Sequence, residues 1–162
     1  MIQLFITGGT IDKQYDIRTG ELSFPPTSLP ELLSEAYCTL TISSQVLMQK
    51  DSLQMDDADR SQIEQACLNS EFNHIVITHG TDTMVETALR LQANAALVAK
   101  TIILTGAMRP FKLGHSDGSF NLGSALMAVQ LAKPGIWIAM NGQLFGAGQV
   151  LKNRALGEFQ RA

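Results

Sequence analysis

Short apolar runs rich in β-branched residues recur along the chain, and each is followed within three residues by glycine, threonine or aspartate. Ile2–Ile6, Thr39–Met48, His74–Thr78, Thr101–Thr105 and Ile136–Met140 predict five strands. Between them the apolar spacing turns helical. Leu29–Tyr37 predicts a short helix, and Asp56 and Asp57 cap one running to about Ser70 on Ile63, Ala66 and Cys67. Met84, Ala88, Leu91, Ala95 and Val98 follow a 4-3-4-3 stripe behind a Thr83/Glu86 capping-box pattern. Leu122, Leu126 and Val129 mark a last helix, stopped by Pro134-Gly135. Residues Lys13 to Pro30, with tyrosine, glycine and prolines, read as a mobile loop, and Gly106 to Gly118 as another. Leu144 to Lys152, centred on Gly146-Ala147-Gly148, reads as a hairpin. Alternating strands and helices predict an α/β fold: a three-layer parallel sheet with helices on both faces.

Composition narrows the function classes. At 162 residues, 45% hydrophobic and 17% charged, the chain suits one globular domain. A net charge of −3 with no Lys/Arg cluster disfavours nucleic acid and anionic membranes as partners. No run approaches a membrane span, and the start has neither the basic flank nor the apolar length of a signal peptide. Cys38, expected on a strand, and Cys67, expected on a helix, read as free thiols in a cytoplasmic protein.

The candidate chemistry lies just beyond two strands. Thr7-Gly8-Gly9-Thr10-Ile11 follows the first and His79-Gly80-Thr81-Asp82-Thr83 the third. Loops leaving the carboxyl ends of parallel strands face one crevice, where ligands bind. Gly9 lets the backbone approach a substrate and offers N–H groups to an oxyanion, and Thr10 is a nucleophile if a base takes its proton. An ordinary turn threonine is the competing reading. Thr81 and Asp82 are equally ordinary N-cap residues, but the Thr83/Glu86 pattern meets that need and frees them for a substrate. Asp51-Ser52 follows the second strand, Tyr15 sits in the long first loop as surface residue or lid, and Lys152 is a surface lysine unless it reaches Thr81. The histidines lack metal-ligand spacing, and the glycines match neither GxGxxG nor the P-loop, so no metal or nucleotide cofactor is expected.

These segments resemble the two signature motifs of bacterial-type L-asparaginases. Met55 after Asp51-Ser52, Gly106-Ala107-Met108-Arg109-Pro110, Asp117-Gly118 with Asn121-Leu122, and Val150-Leu151-Lys152 fall in the family's order. The resemblance implies a flavodoxin- or Rossmann-like amino-terminal domain that hydrolyses L-asparagine, with weaker action on L-glutamine. Thr10 matches the nucleophile that forms an acyl-enzyme, Tyr15 the lid tyrosine, and Thr81, Asp82 and Lys152 the second triad. Asp82 also matches the binder of the substrate ammonium, and Ser52 a binder of its α-carboxylate. Backbone groups of Gly9, Gly80, Thr81 and Ala107 match the carboxamide and oxyanion site. Family members usually carry a second, smaller carboxyl-terminal domain that gives groups to a neighbouring subunit's site. The chain, read to Ala162, corresponds to a compact single-domain form (residues 1–162) acting as a homodimer or higher homo-oligomer. The alternative is an asparagine-binding sensor or an incomplete subunit needing a partner.

Overall fold

A computed structural model describes residues 1–162. In chain order the elements are β1 (Ile2–Gly8), β2 (Gln14–Asp16), β3 (Glu21–Ser23), α1 (Leu29–Glu35), β4 (Ile42–Lys50), α2 (Asp57–Asn69), β5 (His74–Thr78), α3 (Met84–Ala93), β6 (Thr101–Thr105), α4 (Gly118–Leu131), β7 (Gly135–Met140), β8 (Gln143–Gly146), β9 (Val150–Asn153) and β10 (Glu158–Arg161). The main sheet runs β4-β1-β5-β6-β7-β8. Its first five strands are parallel and β8 closes one edge antiparallel to β7.

Period-two alternation splits the strand side chains between two cores. Ile75, Ile77, Ile102, Leu104 and Ile138 point to one face, where α2 and α3 cover them with Ile63, Cys67, Met84, Ala88 and Leu91. Leu4, Ile6, Val76, Ile103 and Ala139 point to the other, under α1 and α4 with Leu29, Leu32, Leu122 and Val129. Every residue of β6 is buried, which accounts for its unbroken Ile-Ile-Leu run. Edge strand β4 carries the more polar Ser43, Ser44 and Gln45 and is half exposed.

This topology creates the crevice. Strand β1 lies between β4 and β5, so the chain order reverses at β1. The segment leaving β1 runs to α1 on one face, whereas the segment leaving β5 runs to α3 on the other. Two neighbouring parallel strands, paired through Ile6 and Thr78, therefore part at their carboxyl ends.

The fold corrects four expectations. Residues 13–30 are not a structureless loop: β2 and β3 pair antiparallel, with Tyr15 opposite Leu22. Helix α3 ends at Ala93, because the Asn94 side chain accepts from Ala96 N and starts a 3₁₀ turn. Leu97 is buried there, and Val98, the last member of the apolar stripe, is 75% exposed. Residues 144–152 form no hairpin: β8 pairs back to β7 across Asn141-Gly142, and β9 pairs forward to β10. Cys38 lies between α1 and β4 rather than on a strand.

Candidate active site

Backbone contact holds the two threonine loops together. Gly9 has φ 78°, a left-handed conformation that suits glycine, and a Cβ there would lie 2.5 Å from Gly80 N. A Cβ on Gly80 would lie 2.6 Å from the Ser52 Cβ and Oγ. The ends of β1, β4 and β5 thus close on one point, and Thr10 and Thr81 each follow a glycine of the touching pair. Thr10 opens a 3₁₀ turn, Thr10–Asp12, in which Asp12 N donates to Gly9 O at 3.1 Å and Lys13 N to Thr10 O at 3.2 Å. Thr10 is half exposed.

Ser52 is 2% exposed and doubly tied to the start of α3. Thr83 N donates to Ser52 Oγ at 3.3 Å and Thr83 Oγ1 to Ser52 O at 2.9 Å. The Thr83/Glu86 capping box therefore does not form: Thr83 makes no side-chain cap bond, and Glu86 pairs with Arg60 at 3.2 Å. A hydroxyl that local pattern assigns to its own helix spans two loops instead. A true capping box starts α2, where Asp56 Oδ1 accepts from Asp59 N at 2.9 Å and Asp59 Oδ2 from Asp56 N at 3.1 Å. Lys50 Nζ reaches the same Asp59 carboxylate at 2.7 Å and holds its carboxyl below the ordinary range. That pair anchors the segment carrying Ser52.

Lys152 is the decisive placement. From β9 its Nζ donates to Thr81 Oγ1 and to Asp82 Oδ1, both at 2.8 Å, with its side chain 11% exposed. Arg154 Nε stands 3.7 Å from the same Asp82 Oδ1. Both cations sit on the same oxygen of Asp82.

Behind these residues His79 is fully buried. The Gly80 carbonyl can only accept, so His79 Nδ1 carries the proton it donates at 2.8 Å. Nε2 then accepts from Thr87 Oγ1, also at 2.8 Å. Burial pushes the imidazole down to about 4 against the opposing effect of the Gly80 bond. A neutral His79 thus fixes the peptide unit between Gly80 and Thr81. Sequence reasoning placed His79 in the second motif but gave neither it nor Thr87 a role; a histidine before Gly80-Thr81 carries no pattern announcing a buried tautomer. Asp117, which the motif order named without a role, is the other support: it accepts from Met108 N at 2.9 Å and Arg109 N at 3.1 Å, holding the loop on which Ala107 is buried.

Tyr15 stands apart. It is 55% exposed on the β2–β3 hairpin, and a Cβ on Gly20 would lie 4.0 Å from its hydroxyl. The structure does not bring Tyr15 together with the threonines. Lys13, two residues earlier, forms an ion pair with Asp51 beside Ser52. Hollows of about 410 Å³ beside Trp137 and Phe145, and of about 420 Å³ between Glu31 and Ser116, lie away from the threonine pair.

The family description "Asparaginase, N-terminal" fits residues 1–158. The chain belongs to the asparaginase family. It is 32% identical over 163 residues to a probable periplasmic L-asparaginase of Haemophilus influenzae, covering 93% of this chain and 46% of that protein. It is 33% identical over 153 residues to a glutamyl-tRNA(Gln) amidotransferase subunit of Methanococcus vannielii, covering 88% of this chain and 34% of that one. Among solved structures, the thermostable L-asparaginase of Thermococcus kodakarensis superposes with a TM-score of 0.84 at 28% identity, over 99% of this chain and 50% of that one. A probable cytoplasmic L-asparaginase of Campylobacter jejuni gives 0.85 at 29%, over 99% and 52%. This asparaginase-family chain thus spans about half or less of the length of these relatives, and it contains no helix long and apolar enough to cross a membrane.

Proposed function

We propose that this asparaginase-family chain is an amidohydrolase that converts L-asparagine to L-aspartate and ammonia. The observation that carries the reading is Lys152, brought across the fold to Thr81 and Asp82 at 2.8 Å each. A lysine donating to a threonine hydroxyl leaves that hydroxyl's proton free for another acceptor, and the neighbouring carboxylate balances the charge. Thr10 Oγ attacks the side-chain carboxamide carbon, the C–N bond breaks, and the hydroxyl proton leaves on ammonia. Water then adds to the Thr10 ester, positioned by Thr81 and Lys152, and aspartate departs as the Thr10 hydroxyl is restored. Backbone groups of Gly9, Gly80, Thr81 and Ala107 line the carboxamide and oxyanion site, but the Gly9 N–H itself donates to Lys50 O at 2.9 Å, so the oxyanion's donors come from the residues beside it. Asp82 Oδ2 takes the substrate ammonium and Ser52 Oγ its α-carboxylate. Tyr15 acts only after its hairpin closes.

The domain formed by residues 1–162 is proposed to work in a reducing cytoplasm, a compartment suited to the free thiols Cys38 and Cys67. A homodimer or higher homo-oligomer belongs to the same proposal, since Leu53 and Leu151, next to Ser52 and Lys152, are 63% and 40% exposed. The test is ammonia release by the purified chain from L-asparagine and L-glutamine, beside Thr10→Ala and Thr81→Ala. Turnover on asparagine, lost in both variants, is expected. A folded Thr10→Ala protein that kept wild-type turnover would remove Thr10 from the mechanism.

The relative named as an amidotransferase subunit favours one alternative: a subunit that binds asparagine and needs a second protein to complete its site. Saturable asparagine binding without ammonia release, with release restored by a partner, is its signature.

A further inference from the structure

One buried carboxylate has no part in that chemistry. Asp12 is 0% exposed, two residues beyond Thr10 and at the end of the same 3₁₀ turn. Three donors converge on it from the far side of the lid hairpin. Thr27 Oγ1 lies 2.9 Å from both carboxylate oxygens, Ser28 N donates to Oδ1 at 2.9 Å, and Ser28 Oγ to Oδ1 at 3.2 Å. Residues 13–26, with strands β2 and β3, are the loop closed by this contact. Burial raises the Asp12 carboxyl above its ordinary value, and the bonds from Ser28 and Thr27 offset part of that. Holding an ionisable group in so dry a place is unfavourable unless its partners are worth holding.

Outside this base the hairpin touches the rest of the fold through β2, which meets the Phe111–Leu113 turn, and much of its apolar surface is bare. Ile17, Tyr15 and Leu22 are 85%, 55% and 45% exposed. Two further ties also sit near the base: the Lys13–Asp51 ion pair and a 3.4 Å bond from Gln49 Nε2 to Pro25 O.

We propose that Asp12 is a positioning residue: its carboxylate clasps both ends of the lid hairpin and couples the lid to the turn that presents Thr10. The role of Thr10 as nucleophile rests on the proposed function, but the clasp itself is testable without turnover. A carboxylate is suited to the task because it accepts several donors at once. Asparagine in its place keeps an oxygen for Ser28 N–H and turns its amide toward the Thr27 hydroxyl, which can accept. Alanine leaves the Ser28 N–H a buried donor with no partner. The lid should therefore open more often in Asp12→Ala and nearly as rarely as in the wild type in Asp12→Asn.

The experiment compares wild type, D12A and D12N for trypsin cleavage after Arg18, whose side chain is 84% exposed at the hairpin tip, and for amide exchange of residues 14–23. Cleavage of a transiently opened segment follows the population of the open form. Loss of hydrogen bonds to a charged group should raise cleavage and exchange about tenfold or more in D12A. D12N should stay near wild type, with exchange in β5 and β6 unchanged in both. If the chain turns over asparagine, D12A should raise KM by more than it lowers kcat. A folded D12A protein cut after Arg18 at the wild-type rate would overturn the clasp, as would D12N behaving like D12A. If D12A does not fold, Thr27→Val, which removes the hydroxyl reaching both oxygens, is judged by the same rates. No ammonia release by the wild type, together with accelerated cleavage in D12A, would refute the hydrolase reading and leave the clasp standing.

Discussion

His79 makes acid sensitivity a quantitative test of the site's support. In the folded chain the imidazole is buried and neutral, with burial pushing it down to about 4, whereas an unfolded histidine titrates near 6.5. Because the folded value is the lower one, the unfolded chain takes up the proton first on acidification. The stabilisation is thus complete above pH 6.5 and drains away as pH falls toward 4. Every tenfold difference in proton affinity between the two states corresponds to about 1.4 kcal/mol, so the full loss is about 3 kcal/mol, of which about 2.5 kcal/mol is gone by pH 4.5. The carboxyls of Asp51 and Asp59 are held below 3.8 and lose their contribution at lower pH, below this window. Asp12 is shifted the other way and works in the opposite sense, but it is common to both proteins compared. The assay is urea unfolding of wild type and His79→Gln at pH 7 and pH 4.5. The wild type should lose about 2.5 kcal/mol more than the variant between the two. Equal losses in both proteins would show that His79 is not held as a buried neutral imidazole, and the fixed Gly80–Thr81 peptide unit would fall with it.

Three other perturbations probe the packing. Gly80→Ala places a Cβ 2.6 Å from the Ser52 Oγ and 2.9 Å from its backbone N; turnover should fall about a hundredfold, since displacement of about 1 Å suffices for that, and near-wild-type kcat/KM would refute the close approach. Cys67 is fully buried and its thiol is pushed up to about 12, so an aromatic disulfide reagent should label Cys38 alone in the folded protein and both thiols in denaturant. Equal native rates for the two would contradict the fold around α2. Ile63→Ala, at a fully buried site between α2 and the sheet, should cost about 2–5 kcal/mol in urea unfolding, whereas Val98→Ala, at a 75% exposed position, should stay within about 0.5 kcal/mol.

The five parallel strands and four helices were legible because each is written locally. Strands buried on both faces read as unbroken β-branched runs, and helices as stripes at a period near 3.6. That Thr10, Ser52, Thr81 and Asp82 share one side of the sheet was legible for a related reason: each stands within a few residues of a strand's carboxyl end, and in a parallel sheet those ends share a side. What local pattern could not determine was which partner wins when two are available. Thr83 has Glu86 at capping-box distance, but in the fold its N–H donates to Ser52 Oγ and its hydroxyl to Ser52 O, 31 residues away in sequence. The apolar stripe of α3 continues to Val98, yet Asn94 ends the helix and Leu97 goes inward instead. Nothing local distinguishes Lys152 from a surface lysine; the return of β9 sets it 2.8 Å from Thr81, across 71 positions of sequence. The tautomer of His79 and the clasp at Asp12 belong to the same class, because their hydrogen bonds exist only once separate loops have met. Sequence by itself determined the periods, and with them the layers, the two cores and the edge of the sheet where chemistry can sit. Tertiary structure alone decided the pairings at that edge, because a polar side chain takes whichever partner the packed strands bring within about 3 Å.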